Sequence, residues 1–298
     1  MEKLFKLKEH GTDVKTEIIA GITTFLAMAY ILAVNPSYLG GIDGMSAGAV
    51  FSATAISAGI ATLCMAFFAN YPVALASGMG LNAFFAFTVC GAMGYSYKVA
   101  LTAVFIEGII FMLLSLFKFR EALVNKIPSN LKFAITAGIG LFIAIIALLN
   151  ANVVVASEST TVALGELSSP TVVLSLVGLL IIGALQHYKV PGGILLGILI
   201  TWVLGIIAQL VGWYVQNPEA GVYSVIPQFS LSSFEAPKMF QFDFGFIAKN
   251  VPAFIIIVFT FLYTDIFDTV GTLIGVAEKG KLLDKDGSLP NATGALMA

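Results

Sequence analysis

One stretch of the sequence decides the fold class: Val251–Ala277, which reads VPAFIIIVFTFLYTDIFDTVGTLIGVA. The run is apolar and long enough to cross a hydrocarbon core about 30 Å thick as an α-helix. It nevertheless carries two carboxylates near its middle, Asp265 and Asp268, each of which costs roughly 2.5–3.5 kcal/mol at the centre of a bilayer on insertion scales. Residues three apart on an α-helix project from one face. We therefore expect this face of a membrane-spanning helix to line a polar cavity or a substrate path.

The composition of the whole chain is that of a membrane protein. Hydrophobic residues make up 58% of the chain and charged residues 11%, with a mean hydropathy of +0.96, whereas a soluble domain is about one quarter charged. The net charge of -2 says little about partners, but nothing in the sequence resembles a basic nucleic-acid surface, so we expect no nucleic-acid partner and a lipid bilayer as the surrounding. Cys64 and Cys90 lie in apolar runs without metal-site spacing, so we interpret both as packing residues and expect no metal and no cofactor.

Apolar runs with the length of helical membrane crossings recur along the chain, and eight of them can be counted. They are Glu17–Val34, Ala47–Ala69, Pro72–Ala92, Val99–Phe117, Leu131–Asn150, Thr171–Gln186, Gly193–Trp213 and Val251–Ala277. The predicted fold class is an all-α polytopic membrane protein with about eight transmembrane helices.

The basic residues predict the orientation of these spans. Of the 15 lysines and arginines, only Lys98, Lys238 and Lys249 fall in the loops on one side, and the others cluster on the opposite side. Positive charge is retained on the cytoplasmic side of a membrane. We therefore predict a multi-pass protein of the cell membrane whose N-terminus is cytoplasmic.

The third span has an unusual sequence for a membrane helix. Its first half, within YPVALASGMGLNAFF (Tyr71–Phe85), contains Pro72, Ser77, Gly78 and Gly80, which disfavour an uninterrupted helix. This pattern predicts an interrupted span, with extended backbone followed by a half-helix that starts inside the membrane. The free N–H groups at such a helix start can hold a polar or anionic ligand. The alternative is a kinked helix that uses small residues for close packing.

Polar side chains inside the predicted spans are the candidate functional groups. Asp265 and Asp268 form a pair in which one carboxyl could take up a proton while the other binds a substrate, and Thr269 adds a hydroxyl beside them. Asn82 follows the break in span three and offers both a donor and an acceptor. Glu107 is alone in its span, and a structural hydrogen bond and a role in proton coupling are both open for it.

An enzyme is not expected. His10 and His187 fall at cytoplasmic positions far from the buried acids, and the sequence contains no nucleophile elbow, phosphate loop or metal-ligand cluster.

Three motifs resemble the adenine/guanine/hypoxanthine permease branch of the nucleobase–cation symporter-2 family. They are GITTFLAMAYILAVNP (Gly21–Pro36), GMGLNAFF (Gly78–Phe85) and DIFDTVGTLIG (Asp265–Gly275). The resemblance runs the length of the chain. It implies two inverted seven-span repeats, of which this chain would hold the first and the start of the second. It also implies a substrate placed between the interrupted spans three and ten, with polar contacts from span eight.

The resemblance further implies a division of the chain into domains. Residues 1–117 would form core spans one to four, 118–213 gate spans five to seven, 214–250 an extracellular loop, and 251–298 span eight and the start of span nine. Within that loop, the alternating aromatic and polar residues of Phe240–Lys249 by themselves predict a segment that lies along the outer interface. Since spans ten to fourteen are missing from this pattern, we expect a C-terminally truncated sequence. A homodimer is implied as possible for the full-length protein.

By the same resemblance, the protein would import purine nucleobases such as hypoxanthine, guanine or adenine by proton symport and alternating access. The predicted substrate contacts are Asp265, Asp268, Asn82, Gly78, Gly80 and Thr269, and the predicted proton-coupling residues are Asp268, Asp265 and Glu107. The alternatives are an anion or carboxylate carrier of the same fold, which would want a basic residue opposite the half-helix, and a non-transporting membrane scaffold or channel subunit.

Overall fold

The computed structural model describes residues 5, 7, 11–116, 129–190, 192–217, 222, 224–226, 235–280 and 294–295. The helices, numbered in chain order, are α1 Val14–Met28, α2 Ile31–Leu39, α3 Ala47–Cys64, α4 Met79–Ala83, α5 Tyr97–Leu116, α6 Ser129–Asn150, α7 Pro170–His187, α8 Gly193–Leu210, α9 Gly245–Lys249 and α10 Val251–Lys279. Helices α3 and α4 continue in π-helical geometry as Met65–Ala69 and Phe84–Ala92. Strands β1 Val154–Ser157 and β2 Thr161–Leu164 pair antiparallel.

Within the described ranges, six helical segments are long and apolar enough to cross a membrane. They are Val14–Leu39, Ala47–Ala69, Tyr97–Ser115, Pro170–His187, Gly193–Leu210 and Val251–Leu273, and Met79–Ala92 and Gly140–Asn150 are shorter apolar helices. These segments overlap the eight predicted runs, and the prediction of an all-α polytopic membrane protein is confirmed. The number of crossings stays a prediction.

The first predicted span differs from the structure in its extent and continuity. We predicted one run over Glu17–Val34, but α1 and α2 are separated by a turn at Ala29 and Tyr30, and α2 continues to Leu39 with Pro36 inside it. Helix α1 begins after Asp13, whose carboxylate accepts a 2.7 Å hydrogen bond from the Thr16 N–H. This bond to the backbone lowers the pKa of the exposed Asp13 carboxyl.

The chain forms two compact units. One contains residues 1–21, 31–140 and 234–298, and the other contains residues 22–30 and 141–233. The division into core and gate domains predicted above stays a prediction.

The core of the first unit lies where α10 packs against α4 and α5. Phe261 of α10 is 2% exposed and meets the Phe84 ring edge-on, with the ring centroids 4.9 Å apart. Small residues on α5, Ala100 and Ala103, are fully buried in the same cluster, so that α10 can approach closely. This packing fixes the position of the α10 face that carries the two aspartates.

The segment before α10 is fastened to α5. The Asp243 N–H donates to Thr102 Oγ1 at 2.8 Å, and the ring centroids of Phe242 and Phe105 are 4.7 Å apart. Phe240, in contrast, is 78% exposed. The predicted interfacial location of this segment stays a prediction.

In the second unit, α7 and α8 pack along each other through glycines. A Cβ built on Gly178 would lie 2.6 Å from Thr201 Oγ1, and a Cβ on Gly197 would overlap the Ile182 side chain. The absence of side chains at these positions lets the two helix backbones approach.

Candidate functional site

The third predicted span is interrupted. The chain leaves the π-helical end of α3 at Asn70, which is in the left-handed conformation with φ 63°, and residues 71–78 form neither helix nor strand. Helix α4 then starts at Met79, with Gly78 at its N-cap position. The prediction of an interrupted span is confirmed, and the alternative of a continuous, kinked helix is wrong.

The non-helical backbone of the break is held by a side chain of α3. The Leu75 N–H donates to Thr62 Oγ1 at 3.0 Å, and the Thr62 hydroxyl contacts the Leu75 carbonyl oxygen at 3.4 Å. Non-helical backbone at membrane depth persists only where protein or a wet cavity satisfies its polar groups. Thr62 supplies such a partner, which helps to explain how the break is accommodated.

A cluster of amides and hydroxyls joins the break to two other helices. The Asn35 Nδ2 group of α2 donates to Thr54 Oγ1 of α3 at 3.1 Å and to Ser77 Oγ at 2.8 Å. The Asn82 Nδ2 group of α4 donates to Asn35 Oδ1 at 2.6 Å and to Ser77 Oγ at 3.1 Å. Asn35 is 3% exposed and Thr54 is 6% exposed. We call these four residues the asparagine cluster, and it fixes the side chain of the predicted site residue Asn82.

The asparagine cluster contains residues that the sequence did not identify as part of a site. Asn35 lies in the motif Gly21–Pro36 that carries the family resemblance, and it is a polar residue within an apolar run. That polarity was the available signal for Asn35. Thr54 carried no comparable signal, because threonine is common in small-residue membrane helices and often bonds its own backbone, as Thr54 does with the Val50 carbonyl oxygen at 2.8 Å.

Asp268 lies directly against the start of α4. A Cβ built on Gly78 would be 2.5 Å from Asp268 Oδ2, so the carboxylate occupies the space that any side chain at position 78 would take. Gly78 has φ -68° and ψ 127° and offers no side chain to cap the helix. The positive end of the helix dipole favours an anionic oxygen at this place. The structure therefore brings together two predicted site residues from spans three and eight.

The other predicted residues of α10 and α4 lie close by in the chain. Thr269 Oγ1 donates to Asp265 Oδ1 at 3.1 Å, which engages the Asp265 carboxylate one helical turn away. Gly80 is buried in the first turn of α4. The roles of Asp265, Thr269 and Gly80 in binding stay predictions.

Glu107 is placed on α5 and is buried, with 6% exposure. Its helix is the one whose Ala100 and Ala103 pack against α10. Both interpretations of Glu107, as a structural residue and as a coupling residue, stay predictions.

A separate cavity of about 970 Å³ opens at the C-terminal end of the α4 segment. Its lining includes Tyr38, Phe87, Tyr95 and Lys98. The Asp268–Gly78 contact lies at the opposite, N-terminal end of that segment, so this cavity and the candidate site are different places in the first unit. Among the described residues, no group of three or more His, Cys, Asp or Glu side chains is arranged to hold a metal ion.

The whole chain is similar in sequence to a family of known proteins. A family model described as "Permease family" matches residues 15–298. The adenine permease AdeQ of Escherichia coli strain K12 is 42% identical over 296 residues, which cover 99% of this chain and 63% of that protein. The guanine/hypoxanthine permease PbuO of Bacillus subtilis strain 168 is 44% identical over 301 residues, covering 99% of this chain and 66% of that protein. The chain thus spans less than two thirds of the length of these relatives.

Proposed function

The chain belongs to the Permease family, and from this premise we propose that the full-length protein imports purine nucleobases such as hypoxanthine, guanine or adenine by proton symport. Membership in a family of permeases confirms the predicted family resemblance and the prediction that the protein is not an enzyme. The purine substrate is inferred from relatives that are named adenine permease and guanine/hypoxanthine permease.

The observation that carries the proposal is the contact between Asp268 and Gly78 at the start of α4. It brings a carboxylate, which accepts hydrogen bonds, beside the first turn of a helix, whose N–H groups donate them. A purine is a flat ring with both N–H donors and ring-nitrogen or carbonyl acceptors along its edges. Such an edge can be matched by donors and acceptors that lie this close together.

The proposed substrate contacts follow from this arrangement. Asn82 and Asp268 would provide side-chain partners, and Gly78 and Gly80 would let the ring approach the backbone of the helix start. Asp265, whose carboxylate is engaged by Thr269, would complete the polar face of α10.

The proposed coupling ion is a proton. Two carboxylates one helical turn apart in a membrane span are costly when both are ionised, and proton uptake by one of them removes a charge from the apolar interior. We assign this role to Asp268 and Asp265, with Glu107 as a third candidate. Binding of a proton and of a substrate at one place would couple the two by mass action.

Transport would proceed by alternating access. In this proposal the core spans one to four and eight move against the gate spans five to seven. We further propose a location in the cell membrane with a cytoplasmic N-terminus, and a homodimer of the full-length protein as its assembly.

Uptake of radiolabelled hypoxanthine by cells that lack their own purine carriers tests the proposal. The full-length protein should give saturable uptake that is stimulated by external acid and abolished by a protonophore. Asp268→Asn keeps the shape of the side chain but removes its titration, and it should abolish concentrative uptake. Glu158→Gln, an equivalent change at an exposed position in the β1–β2 turn, is the matched control and should transport normally. Acid-stimulated uptake at the wild-type rate in Asp268→Asn would contradict the proposal.

A further inference from the structure

The hydrogen bonds of the asparagine cluster have a defined direction that begins at a backbone group. The Val50 carbonyl oxygen can only accept, so the Thr54 hydroxyl, 2.8 Å away, donates its hydrogen to it. The Thr54 oxygen then serves Asn35 as an acceptor, at 3.1 Å. The Asn35 amide must therefore turn its nitrogen towards Thr54 and its oxygen away from it. A hydrogen-bond network of this kind settles the orientation of an amide, whose N and O atoms are otherwise alike in shape.

The orientation of the Asn35 amide in turn fixes the orientation of the Asn82 amide. Asn35 Oδ1 accepts, so the group that faces it at 2.6 Å is the Asn82 nitrogen. The second hydrogen of that nitrogen is directed to Ser77 Oγ at 3.1 Å. Both amide hydrogens of Asn82 are thus committed within the cluster, and Oδ1 is its remaining hydrogen-bonding atom.

We infer that Asn35 is a positioning residue that makes Asn82 an acceptor-only group, so that the site selects a substrate edge carrying an N–H or NH2 donor at that place. The inference rests on the proposed function and specifies which hydrogen-bonding groups of the substrate the site recognises. Asn82 therefore calls for a donor on the substrate, and the N–H groups of the helix start can serve its acceptors.

Ser77 complements this arrangement. Its oxygen accepts from both asparagines, at 2.8 Å and 3.1 Å, which leaves its hydroxyl hydrogen as the group it can donate. Ser77 is exposed at the break.

Two threonines of α3 allow the orientation of the asparagine amides to be tested separately from the support of the non-helical stretch. Thr54→Val removes the hydroxyl that orients Asn35, and Thr62→Val removes the hydroxyl that holds Leu75 but does not touch either asparagine. Both changes preserve the β-branched shape. In cells lacking purine carriers, the full-length wild type and both variants are assayed for hypoxanthine KM, for Vmax per amount of protein in the membrane, and for inhibition by hypoxanthines methylated at each ring nitrogen.

We expect that one of the methylated hypoxanthines inhibits the wild type far more weakly than hypoxanthine does, because the methyl group replaces the hydrogen that Asn82 Oδ1 accepts. We call the ratio of these two affinities the discrimination against that analogue. In Thr54→Val, the Asn35 and Asn82 amides can turn, so KM should rise about tenfold and the discrimination against that analogue should fall about tenfold, the value of one hydrogen bond. In Thr62→Val, the discrimination against that analogue should equal that of the wild type, even if less of this variant reaches the membrane. The variant combining Thr54→Val with Asn82→Ala should discriminate no less than Asn82→Ala alone.

The outcomes distinguish the two levels of the proposal. Hypoxanthine uptake by the wild type with equal discrimination in Thr54→Val and Thr62→Val would overturn the positioning role of Asn35 and leave the proposed function standing. Additive losses of discrimination in the combined variant would overturn it as well. Absence of saturable purine uptake by the wild type would overturn both.

Discussion

The contact between Gly78 and Asp268 gives a sharp prediction for Gly78→Ala. The backbone at Gly78, with φ -68° and ψ 127°, is one that alanine adopts without strain. The whole effect of the substitution must therefore come from the added methyl group. That methyl group would lie 2.5 Å from Asp268 Oδ2, about 1 Å closer than an ordinary contact between nonbonded atoms.

The size of the effect follows from how the overlap can be relieved. The Asp268 carboxylate, which is the end of a flexible side chain, can rotate away from the helix start at small cost, whereas separation of α4 and α10 would be overpacking at about 1–3 kcal/mol. If the proposed ligand requires the native arrangement, the larger of these costs sets the upper limit on the loss of affinity, about 5-fold to 150-fold. We expect a raised KM for hypoxanthine with the protein still inserted in the membrane.

The matched control is Gly59→Ala in α3, where an added Cβ meets no atom within 4 Å. It should transport like the wild type, since alanine is also the better helix former. Wild-type KM and Vmax in Gly78→Ala would refute the view that the Asp268 carboxylate must sit against the start of α4.

Two further predictions concern stability. Gly178→Ala should lower the free energy of unfolding of the detergent-solubilised protein by about 1–3 kcal/mol, because the new methyl group would lie 2.6 Å from Thr201 Oγ1. Gly183→Ala, where an added Cβ meets no atom within 4 Å, is the control and should be neutral or stabilising. Equal melting temperatures of the two variants would contradict the close packing of α7 and α8. At the start of α1, the hydrogen bond from the Thr16 N–H lowers the pKa of Asp13, so the stabilisation exists above the ordinary pKa of aspartate and is lost as the pH falls through the lowered value. Hydrogen exchange at the Thr16 amide should therefore show its opening becoming more favourable on acidification in that range, and Asp13→Asn should remove the pH dependence of this opening.

The interruption of span three could be predicted because its causes are local. Pro72, Gly78 and Gly80 each weaken a helix through their own backbone properties, and they fall within nine residues. The pairing of Asp265 and Asp268 on one face could also be predicted, since it needs only the period of an α-helix.

The groups that hold the break could not be predicted in the same way. Thr62 is a threonine in a helix of small residues, and its bonds to Leu75 depend on how α3 and the non-helical segment meet in space. The π-helical segments Met65–Ala69 and Phe84–Ala92 likewise lack a local signature in the sequence. The turn at Ala29 and Tyr30, which divides the first predicted span, falls within an uninterrupted apolar run, and hydropathy reports only that such a run suits lipid.

The bonds that Asn35 and Thr62 make to Ser77 and Leu75 involve only groups of the protein, so the form of the non-helical stretch does not depend on a bound molecule. Straightening it would sever several contacts at once in surroundings that offer few replacement donors or acceptors. A ligand of the proposed site would then spend little of its binding free energy on arranging the protein. The proposed purine substrates, which are small and rigid and make few contacts of their own, would gain most from this preorganisation.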